Sequence, residues 1–221
     1  MSLLINDDLI WVAIPKCASI SLEKCLLASN LKTVRHSYAV LSRDKHVHVR
    51  LNHLFSEFGT KETFCIKRDW FYRWLSGLKY LLTYDSEEIV KPRIKWEDFT
   101  NELVYEIFDK SFANALYSEE QSDLKEPFLK LFNRDTTDSA VIRVMTSQNY
   151  WTENQKCTYE FNIKEMDKVE KFFKDRYGTD LKIEKFNRST EQKSKIVVDD
   201  KLKAYVWDLF EKPFVKRNSL L

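Results

Sequence analysis

"LIWVAIPKCASISLEKCL", residues 9–26, runs from an apolar segment through a short lysine-bearing turn into a second, apolar-periodic segment. The unbroken run Leu9–Ile14 suits a strand buried on both faces, because a half-buried strand would alternate. Pro15 ends the run. From Ser19 the positions of Ile20, Leu22, Leu26 and Leu27 follow a helical period, closed by Ser29 and Asn30. A helix start behind a buried strand offers unpaired backbone N–H groups and the positive end of a helix dipole, which together attract an anion. Lys16 adds a full charge there, Ser19 and Ser21 add hydroxyls, and small residues at 17–19 let an anion approach the backbone. This is the layout of a phosphate-binding loop, yet it holds no glycine and no Gly-Lys-Ser/Thr. Taken alone, a lysine in such a turn is more often ordinary surface.

The chain of 221 residues is 43% hydrophobic, 14% aromatic and 32% charged, which predicts a globular protein with a substantial core in a single domain, 1–221. A net charge of +2 excludes a strong overall nucleic-acid field, so anion binding must come from local clusters. The N-terminus has no basic region before its apolar residues, and no run approaches the length of a membrane span. Cys17, Cys25, Cys65 and Cys157 show no paired spacing and sit in apolar surroundings, as reduced thiols do. A cytoplasmic protein is expected.

A second strand–turn–helix unit follows. "TFCIKR" (63–68) reads as a buried strand, and Asp69 is suited to cap a helix through Leu82 with Trp70, Trp74, Leu78 and Leu81 on one stripe. Two such units predict an α/β fold with a parallel sheet flanked by helices. Further along, 84–96 reads as a loop, 97–112 and 119–132 as helices, 139–145 and 157–163 as strands. Residues 164–178 read as a helix stopped by Gly178, 181–187 as a last strand and 199–211 as a final helix.

Arg68 ends the second buried strand at a helix start, and Ser76 lies eight residues on. Here the sequence resembles a family. "IPKCASISL" is similar to the 5′-phosphosulfate loop of sulfotransferases that use 3′-phosphoadenylyl sulfate (PAPS). "KRDWFYRWLSG" resembles their 3′-phosphate motif, in which an arginine and a serine eight residues later hold the nucleotide's 3′-phosphate. The match is best with the carbohydrate branch, including uronosyl and heparan sulfate 2-O-sulfotransferases, except that Trp70 stands where a proline is usual. The resemblance implies a P-loop-like three-layer fold with PAPS as co-substrate and adenosine 3′,5′-bisphosphate as product. It assigns Lys16, Cys17, Ala18, Ser19, Ile20 and Ser21 to the phosphosulfate, and Arg68 and Ser76 to the 3′-phosphate. Gln148 falls where the branch often has a glutamine, and Asn187, Arg188 and Ser189 resemble its C-terminal loop near the nucleotide. The stretch 84–140 aligns with nothing in the branch and is expected to be an insertion forming part of the acceptor site.

The missing glycines and magnesium carboxylates fit this chemistry. A transferring sulfuryl group carries less negative charge than a phosphoryl, so a lysine and backbone dipoles suffice and no metal is expected. Lys16 would stabilise charge on the bridging oxygen during in-line transfer. An alcohol acceptor must lose its proton to a base. His46 and His48 share a face if their segment is extended, and the resemblance to a His-x-His-Val element twenty residues before the arginine implies His48 as base with His46 assisting. Glu62 or Glu97 is the alternative base. His-x-His also suits a zinc pair, but no further Cys/His cluster supplies ligands.

Arg35, Arg43, Lys45 and Arg50 flank the histidines, and Lys91, Arg93 and Lys95 sit in 84–96. Singly these read as solvated surface; as groups they would draw in an anionic glycan, with Trp96, Tyr150 and Trp151 stacking on sugars unless they belong to the core. The expected partner is a hydroxyl-bearing acceptor, most simply a glycan. A chain without the Golgi anchor usual in the family's animal members points to a microbial or viral source. Three other readings stand: an ATP-dependent small-molecule kinase of similar fold, a non-catalytic nucleotide- or glycan-binding module, and a sulfotransferase for a small alcohol or phenol.

Overall fold

Two short strands, β1 (Leu3–Ile5) and β2 (Leu9–Val12), open the chain as a hairpin with Leu4 opposite Ile10. The turn is closed by the Asp8 amide on the Ile5 carbonyl, with φ of 46° at Asn6 and 63° at Asp7. Two consecutive positive φ angles are the mirror-image turn that suits the twist of paired strands, and Asn and Asp tolerate it. Every residue from Leu9 to Ile14 is buried, as a run without alternation requires. The computed structural model describes residues 2–37, 48–83, 94–116, 144–184 and 193–212. The expected loop at 84–93, the helix at 119–132, residues 139–143 of the expected strand and residues 185–187 of the last strand lie outside them.

After β2 come α1 (Ser19–Ala28), β3 (Thr33–Arg35), α2 (Leu51–Phe58), β4 (Glu62–Lys67) and α3 (Trp70–Thr83). The order continues with α4 (Asn101–Ile107), α5 (Lys110–Leu116), α6 (Gln148–Thr152), β5 (Tyr159–Asn162), α7 (Met166–Tyr177) and α8 (Asp200–Val206). The strands form one sheet in the order β3-β1-β2-β4-β5. The α/β class stands, but the wholly parallel sheet does not. β2, β4 and β5 are parallel, whereas β1 is antiparallel to both β2 and β3, because the tight hairpin leaves no length for a crossover.

The chain divides into two compact units, Met1–Trp70 with Gln148–Arg188 and Phe71–Ser147 with Ser189–Leu221. The first holds the sheet. Its core sets Trp11 against Phe64 across the β2–β4 register, centroids 6.2 Å apart, with Phe173 of α7 edge-on to Phe64 at 5.5 Å. Gly178 ends α7 in the left-handed region at φ 67°, its amide returning to Lys174. The expected strand at 181–187 does not form over Leu181–Glu184. Side chains take its backbone groups instead: the Ile183 amide donates to Glu170, and the Cys25 thiol donates to the Lys182 carbonyl.

The second unit is helical among the described residues. Trp74, Phe108, Phe112 and Phe210 pack at centroid separations of 5.0 to 5.9 Å. The single helix expected over 97–112 is a 3₁₀ turn (Trp96–Asp98) followed by α4 and α5. Thr100 caps α4 and the Asp109 carboxylate accepts from the Phe112 amide, and each such side chain starts a helix rather than continuing one. Val144 and Met145, expected in a strand, are helical and buried. The final helix forms as α8, capped by Asp199, and runs into a π turn at Trp207–Glu211.

Gly77 of α3 lies against the backbone of Val144, where a Cβ would meet the carbonyl oxygen at 2.6 Å. A backbone atom cannot swing away as a side-chain end does. Gly77→Ala is therefore expected to lower stability by about 1–3 kcal/mol, against the gain that alanine ordinarily brings to a helix. Denaturant unfolding measures it, and an unchanged or higher midpoint would contradict the contact.

Arg73, on the same helix, is buried and donates to the Thr146 carbonyl, and Ser147 donates a short hydrogen bond to the buried Glu211. Burial raises the Glu211 pKa, with the Ser147 hydrogen bond and the Arg73 charge only partly opposing it. A raised carboxyl pKa contributes stability that is full below the unfolded value and is lost as pH rises through the folded one. Replacing Glu211 with Gln is expected to stabilise the protein relative to wild type increasingly as pH rises above the ordinary carboxylate range. Thermal melts of the pair across that range check it, and a difference that stays flat or runs the other way refutes it.

Candidate functional site

The loop after β2 explains how a phosphate-type turn forms without glycine. The Cys17 amide donates to the Ile14 carbonyl at 3.3 Å, closing a turn with Pro15 second and Lys16 third, and Lys16 has φ 65°. That is the type II arrangement, for which proline suits the second position and glycine the third. Ala18 then caps α1 at φ 58°, ψ 20°, again left-handed, with no side-chain oxygen to bond the first-turn amides. Each non-glycine residue held there costs on the order of 1–2 kcal/mol, and such strain gathers where a backbone is shaped for a ligand. Ser19 and Ser21 are buried beneath the helix start, Lys16 and Ile20 are half-exposed, and Cys17 is buried.

Arg68 follows β4, the strand next to and parallel with β2, so Lys16 and Arg68 leave the sheet at the same end. That is the end of a parallel sheet at which α/β ligands bind. One side chain ties the two segments together. Gln148, first residue of α6 and buried, accepts from the Arg68 amide at 2.9 Å and donates to the Arg68 carbonyl at 2.6 Å. The same Oε1 accepts from the Cys17 thiol at 3.4 Å. The amide orientation follows from its partners, since an N–H can only donate and a carbonyl only accept.

His48 joins the loop from another direction. Its Nδ1 lies 2.6 Å from the Ala13 carbonyl, and its ring sits 5.6 Å from that of Trp151. A carbonyl accepts, so Nδ1 carries the proton and the lone pair of the neutral ring is on Nε2. His48 is thus anchored three residues before Lys16. Of the alternative bases, Glu62 starts β4 opposite Leu9, at the far end of the sheet from Lys16, and is paired with Arg176. The Arg176 and Tyr159 hydrogen bonds lower its pKa. Glu97, in the 3₁₀ turn, belongs to the second unit, as does Ser76, half-buried within α3. His46, Asn187, Arg188 and Ser189 lie outside the described residues.

Several candidates for acceptor binding have structural partners instead. Arg35 pairs with Glu23 at 3.4 Å, and Arg50 pairs with Glu153 while lying 4.7 Å over the Tyr150 ring. Trp96 and Trp151 are buried at 4% exposure each, which makes them core rather than sugar platforms. Lys95 remains exposed, and Arg43, Lys45, Lys91 and Arg93 are outside the described residues.

All four cysteines are free thiols. A grouping that residue spacing did not signal brings Cys65, Cys157 and Glu160 together, because β4–β5 pairing joins positions nearly a hundred residues apart. No helix among the described residues is long and apolar enough to cross a membrane. Comparisons with protein-family models, curated proteins and solved structures return no match for the chain.

Proposed function

We propose that the protein is a PAPS-dependent sulfotransferase of P-loop-like architecture, transferring a sulfuryl group to a hydroxyl, best suited to a carbohydrate acceptor. The observation that carries the reading is the Gln148 clamp, which ties Cys17 of the strained lysine loop to the backbone of Arg68 at one end of adjacent parallel strands. Two cationic groups held on neighbouring strand ends suit a nucleotide with phosphates at both its 5′ and 3′ positions. Lys16 and the α1 amides at Ser19, Ile20 and Ser21 would stabilise charge on the bridging oxygen as the sulfur–oxygen bond to the nucleotide breaks. Arg68 would hold the 3′-phosphate as a charge-assisted pair. The parts of Ser76, Asn187, Arg188 and Ser189 rest on the resemblance alone.

His48 would take the acceptor's proton on Nε2, with the Ala13 carbonyl holding the ring as an orienting partner. The new sulfur–oxygen bond would form opposite the breaking one, and adenosine 3′,5′-bisphosphate would leave. The stabilising groups are protein cations and amides, so the transfer calls on no metal. Incubation with ³⁵S-labelled PAPS and a panel of uronate-bearing and neutral glycans tests the reading: label is expected on a glycan in the presence of a chelator. Label transfer from γ-labelled ATP that needs Mg²⁺, with none from PAPS, would establish the kinase reading instead.

A further inference from the structure

We infer that Cys65, Cys157 and Glu160 form a binding site for a thiophilic divalent ion of the Zn²⁺ type on the paired strands β4 and β5. The inference is independent of the sulfotransferase reading. The Sγ atoms of Cys65 and Cys157 and a Glu160 carboxylate oxygen all lie within 4.8 Å of one another. Tetrahedral zinc with metal–sulfur bonds of about 2.3 Å sets its two sulfurs about 3.8 Å apart, so one ion can reach all three atoms with little movement.

The surroundings suit a metal in three respects. The two cysteines are buried, at 0% and 1% exposure, whereas Glu160 faces solvent, so the site is walled by sulfur and open on its carboxylate side. Both hydrogen bonds to Glu160, from Lys67 Nζ at 2.8 Å and from the Cys157 amide at 3.1 Å, fall on Oε1. They orient the carboxylate and leave Oε2 to coordinate. Charge also balances. As the sulfur–metal bonds form, both thiols release protons to solvent, and a 2+ ion with two thiolates and one carboxylate carries −1, which the adjacent Lys67 ammonium neutralises.

Placement gives the ion its role. Cys157 precedes β5, and the Thr63 and Thr158 amides each donate to the other's hydroxyl at 3.1 Å, pinning that segment to β4. A bound ion would staple the same junction. Cys65 and Glu160 are register partners within β4 and β5, whereas Lys16 and Arg68 follow the ends of β2 and β4. The ion would therefore stabilise the β4–β5 pairing.

Co²⁺ titration of the chelator-stripped full chain tests this. One equivalent is expected to bring up thiolate-to-cobalt charge-transfer absorption that Zn²⁺ abolishes, and Zn²⁺ is expected to raise the melting temperature. Cys65→Ser and Cys157→Ser should each lose the absorption, Cys25→Ser should keep it, and Glu160→Gln should weaken Co²⁺ binding about tenfold or more. Glu160 is exposed, so that variant reads the site even if a cysteine variant fails to fold. Absence of the absorption, its persistence in folded Cys65→Ser or Cys157→Ser, or unchanged affinity in Glu160→Gln would overturn the inference.

Discussion

Lys16→Gly is expected to make a more stable protein and a nearly inactive one. The lysine occupies the third position of the type II turn at φ 65°, where glycine has no Cβ penalty. Relief of that strain is worth on the order of 1–2 kcal/mol, and the added freedom of glycine in the unfolded chain returns about 0.5–1 kcal/mol of it. A net gain of about 0.5–1 kcal/mol should appear in denaturant unfolding. Transfer should fall in the opposite direction. Removing one preorganised group that meets developing charge typically costs about 10²–10³-fold in kcat. Lys16→Ala loses the charge but keeps the strain, so it should share the rate loss without the stability gain. If Lys16→Gly retained wild-type turnover, the lysine would be ordinary surface and the loop a structural turn.

His48 carries the second large effect. With Nδ1 bonded to the Ala13 carbonyl, the imidazole steadies the strand end that leads into the loop, and in the proposed reaction it would also be the base. His48→Ala should lower kcat by about 10²–10⁴-fold, the range for loss of a positioned general base. His48→Asn separates the two roles, because its amide N–H can still donate to Ala13 while offering no base. Nucleotide binding is expected to survive in Asn and to weaken in Ala, with transfer lost in both. A His48→Asn enzyme of wild-type rate would remove the histidine from the chemistry and leave it an anchor.

Much of the site-bearing unit was legible because its signals are local. An unbroken apolar run forces a doubly buried strand, and β2 and β4 both formed where such runs stood. What went unread was long-range or carried by single side chains. The β1 hairpin is set by two left-handed residues behind a three-residue strand, too short for any period. Thr100 and Asp109 split a continuous amphipathic pattern into two helices, since capping overrides periodicity at one position. Leu181–Glu184 has strand-like composition, yet Cys25 and Glu170 take backbone groups that a ladder would need.

The site divides in the same way. The positions of Lys16 and Arg68 behind β2 and β4 were legible because a strand-to-helix turn constrains where charge can stand, whereas His48 was singled out only by the resemblance. The Gln148 clamp drew only a faint expectation, because its two hydrogen bonds to the Arg68 backbone span 80 residues. Arg35, Arg50, Trp96 and Trp151 looked available for an acceptor because sequence cannot say whether a cation has a carboxylate opposite it or an indole lies beneath a helix. Their partners and burial decide otherwise.

In the proposed function the lysine loop and Arg68 recognise an adenine nucleotide phosphorylated at both 5′ and 3′ positions. Calorimetric titration with adenosine 3′,5′-bisphosphate and with ATP, both in chelator, tests it most directly. The bisphosphate should bind at least tenfold more tightly, about 1.4 kcal/mol, and Arg68→Ala should erase that preference. ATP binding as tightly as the bisphosphate would mean that Arg68 does not read a 3′-phosphate.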